Sequence, residues 1–316
     1  MPPAAAPKGP LAGHFGHLTP EQEQTLSQLK TELQAEGWFV PERHDDRTLL
    51  RFLRARKFDP ANSKKMIIDC ETWRKDFKVD DIVNNSDYTK NPEKQLYPRF
   101  YHKTDKDGRP VYIERIGLLQ VDALDKKDEK DDKTMEQQQL ENLVLEYERF
   151  LYERLPACSA AVGKPVETSC TILDLKDASL GNFYKVSGYI QKASKIGQDY
   201  YPETMGKFYI VNAPLLFRGV WFAVKGWLDA VTVEKITILG GESQYVPKLL
   251  EQIPAENLPS YLGGTCNCPG GCSEADPGPW NDPKLLLPHR CPLPRSLFPL
   301  DLLMNLVDVS CLVDYE

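Results

Sequence analysis

Near the start of the chain, apolar residues recur at helical spacing. Leu26, Leu29 and Leu33 fall at i, i+3 and i+7, which predicts one apolar stripe on a helix. Thr19, followed by Pro20 and by Gln22, is the signature of a capped helix start, and Gly37 predicts its end. A second helix is expected to open at Asp45 or Asp46 and to run through LLRFLRARKF. A third follows Pro60, with Met66, Cys70, Trp73 and Phe77 on one face. Residues 18–90 thus read as a small helical unit.

The pattern then changes. The run HKTDKDGRPVYIERIG predicts a turn over 106–108 and a short apolar strand near 111–116. Residues 125–133 carry charges of both signs and read as a solvated loop. A long helix is expected next, with Leu140, Leu143, Val144, Tyr147 and Leu151 at helical spacing. Strands over 170–175, 207–211 and 235–239 alternate with helices over 183–198, 215–228 and 246–252. That alternation predicts an α/β domain over 91–282, with a mostly parallel sheet covered on its faces. Residues 1–17 are rich in Pro and Ala, without the apolar core of a leader, and read as a disordered tail. Residues 283–316 form an extension that is first Pro-rich and then apolar. Its Pro288, Pro292, Pro294 and Pro299 oppose a continuous helix, and its removal is expected to leave binding intact.

Charge narrows the range of partners. A formal net charge of −7 disfavours non-specific nucleic-acid binding, which needs clustered Lys and Arg. No run of about 18 apolar residues is present to span a bilayer. Eight Cys without a leader predict reduced thiols and a cytoplasmic setting. The chain has no G-x-S-x-G, Walker, G-x-G-x-x-G or H-E-x-x-H motif, so no catalytic residues, enzyme activity or cofactor are expected. Cys266, Cys268 and Cys272 have the spacing C-x-C-x3-C but no adjacent fourth ligand. His289 or Cys291 would have to fold back, so the reading is three reduced thiols on a Gly-rich loop and no metal.

Three features carry chemistry. On a helix through 46–58, Arg56 shares a face with Leu49, Phe52 and Leu53. A buried guanidinium needs an anion, either an internal carboxylate or a ligand phosphate. The run LLFRGVWFAVKGWL fits a buried core helix or a helix that touches lipid, and its Trp221 and Trp227 suit an interface. Ser169 and Thr171 alternate to one side of a strand and need partners there, backbone or a polar head group.

The stretches RFLRARKFD, YHKTDKDGRPVY, RLPACS, VETSCTILDLK, YYPETMGKFYIVNAP, IPAENLPSYLGG and GPWNDP strongly resemble the CRAL-TRIO lipid-binding family, over roughly residues 18–283. Within it they resemble the fungal branch that transfers phosphatidylinositol and phosphatidylcholine. The resemblance implies a helical unit followed by an α/β domain with one deep apolar pocket, closed by a mobile helical gate. It places Phe217, Val220, Trp221, Val224 and Trp227 on that gate, in contact with membrane. It implies an inositol-phosphate site of Arg56, Glu203 and Lys235, with Thr232 and Asp105 nearby. A phosphocholine site would consist of Tyr101, Tyr112, Ser169 and Thr171. Cations neutralise phosphate, hydroxyls donate to it, and Tyr faces suit a quaternary ammonium.

The cargo is then one phospholipid at a time, carried by a monomer working at Golgi and endosomal membranes and supporting phosphoinositide synthesis and membrane traffic. A second class of reading stays open: a sensing or presenting module for a phosphatidylinositol kinase. A third is a carrier of another hydrophobe such as a sterol. The chain departs from the family's pattern at Thr204, in place of Arg, at Phe150 and Leu151, in place of a Val pair, and at Gly197, in place of Ser.

Overall fold

The protein is described here from a computed structural model, which covers residues 12–85, 98–119 and 134–285. The first helix, α1 (Pro20–Ala35), has Thr19 as its N-cap and a full capping box with Gln22. Its Leu26, Leu29 and Leu33 are buried against α2 (Asp46–Ala55) and α3 (Pro60–Asp76). The predicted stripe of α3 packs as expected: Met66 and Cys70 are buried, and Trp73 stacks on Tyr200 at 4.0 Å between centroids. A short α4 (Val79–Asn85) completes the unit.

Helix α2 ends earlier than its sequence pattern predicts. It stops at Ala55; Arg56 is the capping residue, and Lys57 and Phe58 take positive φ of 52° and 60°. The chain must turn there to bring Phe58 back onto the helical core. Residues 12–17, assigned by composition to a disordered tail, form turns packed on this bend. Gly13 O accepts from Arg54 at 3.2 Å, and Arg47 lies 5.6 Å over the Phe15 ring. Residues 125–133 and 286–316, with the predicted loop and most of the extension, lie outside the described residues.

Five described strands form one sheet in the order β1-β2-β3-β4-β5. Strands β1 (Arg99–Thr104) and β2 (Pro110–Arg115) are antiparallel; β2, β3 (Ser169–Asp174), β4 (Met205–Val211) and β5 (Ile236–Ile238) are parallel. The predicted strands are found within two residues of their expected ends. Strand β1 is the addition, since the polar run RFYHKT lacks a clean apolar alternation. The β2–β3 connection holds α5 (Met135–Arg149), a π-type turn (Phe150–Arg154) and α6 (Leu155–Val162). Helix α7 (Leu180–Tyr200) links β3 to β4. Helices α8 (Phe217–Val224) and α9 (Ala230–Glu234) link β4 to β5, and α10 (Glu242–Gln252) follows.

One face of the sheet is a filled core. Phe100, Val111, Ile113, Cys170, Ile172, Tyr209 and Val211 pack there against Tyr245 and Leu249 of α10 and against Leu258 and Leu262. The helical unit is tied to the α/β part by buried charge: Arg74 of α3 donates to both oxygens of Glu148 on α5, at 2.6 and 3.1 Å, and Tyr201 donates to Glu148 at 2.6 Å.

Candidate functional site

The opposite face of the sheet carries four of the nine residues predicted to bind a head group: Tyr101, Tyr112, Ser169 and Thr171. Strand register places Tyr101 opposite Tyr112, Tyr112 opposite Thr171, Thr171 opposite Phe208 and Phe208 opposite Ile236. Laterally paired residues share a face, so these five form one row across the sheet. A second row, Leu173, Ile210 and Ile238, lies one step further along. Phe150, Trp280 and the start of α6 cover the Tyr101 end. Toward β5 the face is apolar but open: Leu173, Phe208 and Ile236 are half-buried, and none of the described core clusters contains them.

At the β1–β3 end the chemistry is hydroxylic and aromatic. The Ser169 and Thr171 hydroxyls point to one side, 3.2 Å apart. The rings of Tyr101 and Tyr112 are 4.6 Å apart. The Tyr112 hydroxyl is buried and bonds no described group; burial pushes its pKa well up, so it stays a neutral donor. One cation already uses Tyr101: the Arg154 guanidinium lies 4.1 Å over its ring.

At the β4–β5 end the chemistry is ionic. Glu203 has a positive φ of 57° just before β4, and Lys235 caps α9 just before β5. Their side chains meet at 3.5 Å, both about three-quarters buried, at 25% and 23% exposure. Thr232 is in the first turn of α9, where its amide and hydroxyl both donate to the Asp229 cap. Arg56 is half-buried and donates to Ala55 O at 3.2 Å. Among the described residues it pairs with no carboxylate. Asp105 is engaged elsewhere. Its oxygens accept from the amides of Asp107 and Arg109, from the Arg109 guanidinium and from Gln252, which closes the β1–β2 hairpin.

The predicted gate is shorter than the apolar run suggests. Helix α8 spans eight residues and gives way to a 3-10 turn (Lys225–Trp227). Val220 is buried, while Phe217, Trp221, Val224 and Trp227 are half-buried. The outward apolar residues are Leu215, Leu216 and Phe222, exposed by 83%, 70% and 73%. Gln198 of α7 clamps the end of this segment, donating to Trp227 O at 3.0 Å and accepting from the Asp229 amide at 2.9 Å.

Arg51 escaped the sequence reading because it lies off the apolar stripe of α2. It donates to the Thr48 hydroxyl at 3.1 Å, and burial pushes its pKa below the usual arginine value. Leu215, Leu216 and Phe222 were within the apolar run, but periodicity alone does not say which side of a short helix meets solvent. Of the four residues that depart from the family pattern, Phe150 and Thr204 are buried and Leu151 and Gly197 half-buried. Phe150 is 2% exposed, Thr204 donates to Tyr201 O at 2.9 Å, and a Cβ at Gly197 would come within 2.7 Å of Tyr147 Oη.

The chain thus joins a helical unit to an α/β domain whose sheet is filled on one face and presents apolar, hydroxyl and aromatic groups on the other. The chain belongs to the CRAL/TRIO family: the CRAL/TRIO domain matches residues 94–264 and the CRAL/TRIO N-terminal domain residues 17–69. It is 50% identical over 281 residues to the SEC14 cytosolic factor of Schizosaccharomyces pombe, covering 89% of this chain and 94% of that one. The Candida glabrata SEC14 cytosolic factor is 48% identical, over 91% of this chain and 93% of its own length. An Arabidopsis thaliana phosphatidylinositol/phosphatidylcholine transfer protein, SFH7, is 42% identical over 81% of this chain and 46% of its own. The crystal structure of Sfh5 shares the fold, with a TM-score of 0.50 and 16% identity over 69% of this chain and 79% of that chain.

Proposed function

We propose that this chain is a transfer protein that exchanges phosphatidylinositol and phosphatidylcholine between membranes, one lipid at a time. The observation that carries the reading is the open sheet face: hydroxyls and Tyr rings at one end, the Glu203–Lys235 pair at the other, and half-buried apolar residues between. Phosphocholine suits Ser169, Thr171 and the free hydroxyl of Tyr112. Inositol phosphate suits Arg56 and Lys235, with Glu203 accepting from ring hydroxyls and Thr232 beside them. Asp105, held by its hairpin, serves the second site only by bracing β1 and β2.

Magnitude favours exchange over bare extraction. A diacyl lipid exposes roughly thirty methylenes, on the order of 25 kcal/mol to bring alone into water. The economical cycle is docking, opening of α8 at the bilayer and a swap of one lipid for another, with no covalent step. Leu215, Leu216 and Phe222 supply the apolar contact for docking. Among the described residues, no helix is long and apolar enough to cross a membrane. Action as a cytoplasmic monomer at Golgi and endosomal membranes, alongside a phosphatidylinositol kinase, belongs to the same proposal.

The test is transfer of both labelled lipids between vesicles. Arg56→Ala or Lys235→Ala should cost a charge-assisted hydrogen bond, about 1.5–3 kcal/mol, for phosphatidylinositol only. That is roughly a ten- to hundredfold weakening. Ser169→Ala with Thr171→Val should remove phosphatidylcholine and spare phosphatidylinositol. Equal loss of both lipids in folded variants would place the two head groups in one site.

A further inference from the structure

His102 is 0% exposed, and neither of its ring nitrogens makes a hydrogen bond of normal geometry. A buried imidazole needs polar partners for its ring nitrogens, and the polar backbone of Cys272 lies near the ring. The side chain is aimed by a local irregularity. The β1–β2 register shifts between Tyr101 and Thr104, and Lys103 takes a positive φ of 52°. Such a bulge redirects a side chain away from strict alternation.

The ring points at the loop after α10. One ligand atom each from His102, Cys266, Cys268 and Cys272 lies within 4.8 Å of all the others. The Cys266 and Cys268 sulfurs are 3.6 Å apart. A zinc–sulfur bond of about 2.3 Å in a tetrahedron requires sulfurs about 3.8 Å apart. The Cys266–Cys268 edge is already near that length, and no other edge exceeds 4.8 Å. No disulfide competes, since all three Cys are free. Cys266 and Cys272 are buried, while Cys268 is partly exposed and gives an ion a way in.

The backbone is shaped for the same purpose. Cys266 pairs with Pro259 across an isolated bridge, and its amide donates to Leu258 O at 3.1 Å. Gly270 and Gly271 take φ of 77° and 101°, which turns the chain so that Cys272 comes back toward Cys266 O, 3.6 Å from its sulfur. The loop is fastened beside the His by Lys103 N donating to Pro277 O at 2.6 Å.

We propose that His102, Cys266, Cys268 and Cys272 form a structural zinc site of the Cys3His type, which pins the 263–282 loop to β1. Closed four-ligand sites of this composition are structural rather than catalytic, and thiolates select zinc over harder cations. Three sulfurs and one neutral imidazole leave a net charge of −1 around the ion. No part of the proposal depends on the lipid assignment.

The experiment uses the full-length chain, purified without chelator, with metal content measured by mass spectrometry. About one zinc per chain is expected. Apoprotein given cobalt(II) alone should develop the intense visible bands and sulfur charge transfer of a tetrahedral thiolate complex. Removing a ligand should cost at least as much as removing an outer-shell partner, so Cys268→Ser should weaken zinc affinity by about 100-fold or more. Cys158→Ala, buried in another cluster, should keep its zinc and act as control. A chelator should expose three further reactive thiols and lower the unfolding temperature of the wild type but not of Cys268→Ser. His102→Ala should lose the metal; should it fail to fold, the Cys268→Ser comparison stands by itself. The proposal is overturned if apoprotein takes up neither zinc nor cobalt, if Cys268→Ser binds as tightly as wild type, or if the folded protein carries a disulfide among these Cys.

Discussion

In β3, Cys170 and Ile172 are 0% exposed, while Ser169 and Leu173, each one residue away, are only half-buried. The same contrast runs across β2, where Val111 and Ile113 are sealed and Tyr112 between them is not. Alternate residues of the same strands therefore meet two conditions. The α10 face is filled by side chains that interlock, as protein interiors do. The other face is covered at the Tyr101 end by Phe150 and Trp280 and left open toward β5. Stability resides on the first face, and the proposed binding on the second. Because the strands are shared, the proposed head-group residues Tyr112 and Thr171 have core residues as their chain neighbours.

Substituting the two faces in turn tests this division. Ile172→Ala should leave a cavity in the filled face and destabilise by about 2–5 kcal/mol in denaturant unfolding, with lipid selectivity unchanged in the fraction that stays folded. Thr171→Val, its neighbour, exchanges a buried hydroxyl for a methyl without opening a cavity, so it should cost less than Ile172→Ala, about 0.5–1.5 kcal/mol for one hydrogen bond, yet lower phosphatidylcholine transfer. If both substitutions lowered stability alike, the open face would be core after all.

Acid should act on the helical unit through one buried carboxylate, Glu71. Burial would raise the Glu71 pKa, but hydrogen bonds from His44 and Arg43 outweigh it and hold the carboxyl at about 2, against 4.5 ordinarily. A depressed carboxylate stabilises above its unfolded pKa and loses that contribution as pH falls through the folded value. The contribution is on the order of 3 kcal/mol, lost between pH 4.5 and about 2. Unfolding followed against pH should steepen in that window, and Glu71→Gln should flatten the slope while lowering stability at neutral pH.

The exposed apolar residues of the proposed gate are a smaller lever. Phe222 is 73% exposed, so Phe222→Asp should leave the unfolding temperature nearly unchanged. Losing one Phe contact with the bilayer, about 1.5–3 kcal/mol, should weaken vesicle cosedimentation roughly ten- to hundredfold and slow both lipids alike. Unchanged vesicle binding would move the contact away from α8.

The smallest effect is expected at Gly197. A serine there would press on Tyr147 Oη, 2.7 Å from the new Cβ, and Tyr147 stacks on Tyr201 at 4.5 Å. Overpacking of this kind costs about 1–3 kcal/mol, at the low end because only the tip of the ring must move. Thermal unfolding should show the loss in Gly197→Ser and its recovery when Tyr147→Phe is added.

The helical unit was legible because its signals are local. The Thr19 capping box, the Leu26–Leu29–Leu33 stripe and the helix start at Asp45 depend on residues within one or two turns. The alternation of Ser169 and Thr171 was legible for the same reason, since adjacent strand residues must face opposite ways. The family motifs carried the rest of the candidate site, naming its residues without their geometry. Arg56 shows the limit: helical spacing continued its stripe to residue 58, whereas packing of Phe58 ended α2 at Ala55.

What local pattern determined, then, was the order of helices and strands, the α/β class and the hydroxyl-bearing side of β3. Only the tertiary structure decided that Tyr101, Tyr112, Thr171 and Phe208 stand in one row and that Lys235 meets Glu203. It also supplied the missing fourth ligand of the Cys loop, His102, 164 positions before Cys266. Periodicity encodes which way a side chain points from its own element. Strand register and bulges, set by packing between distant segments, decide what it meets there.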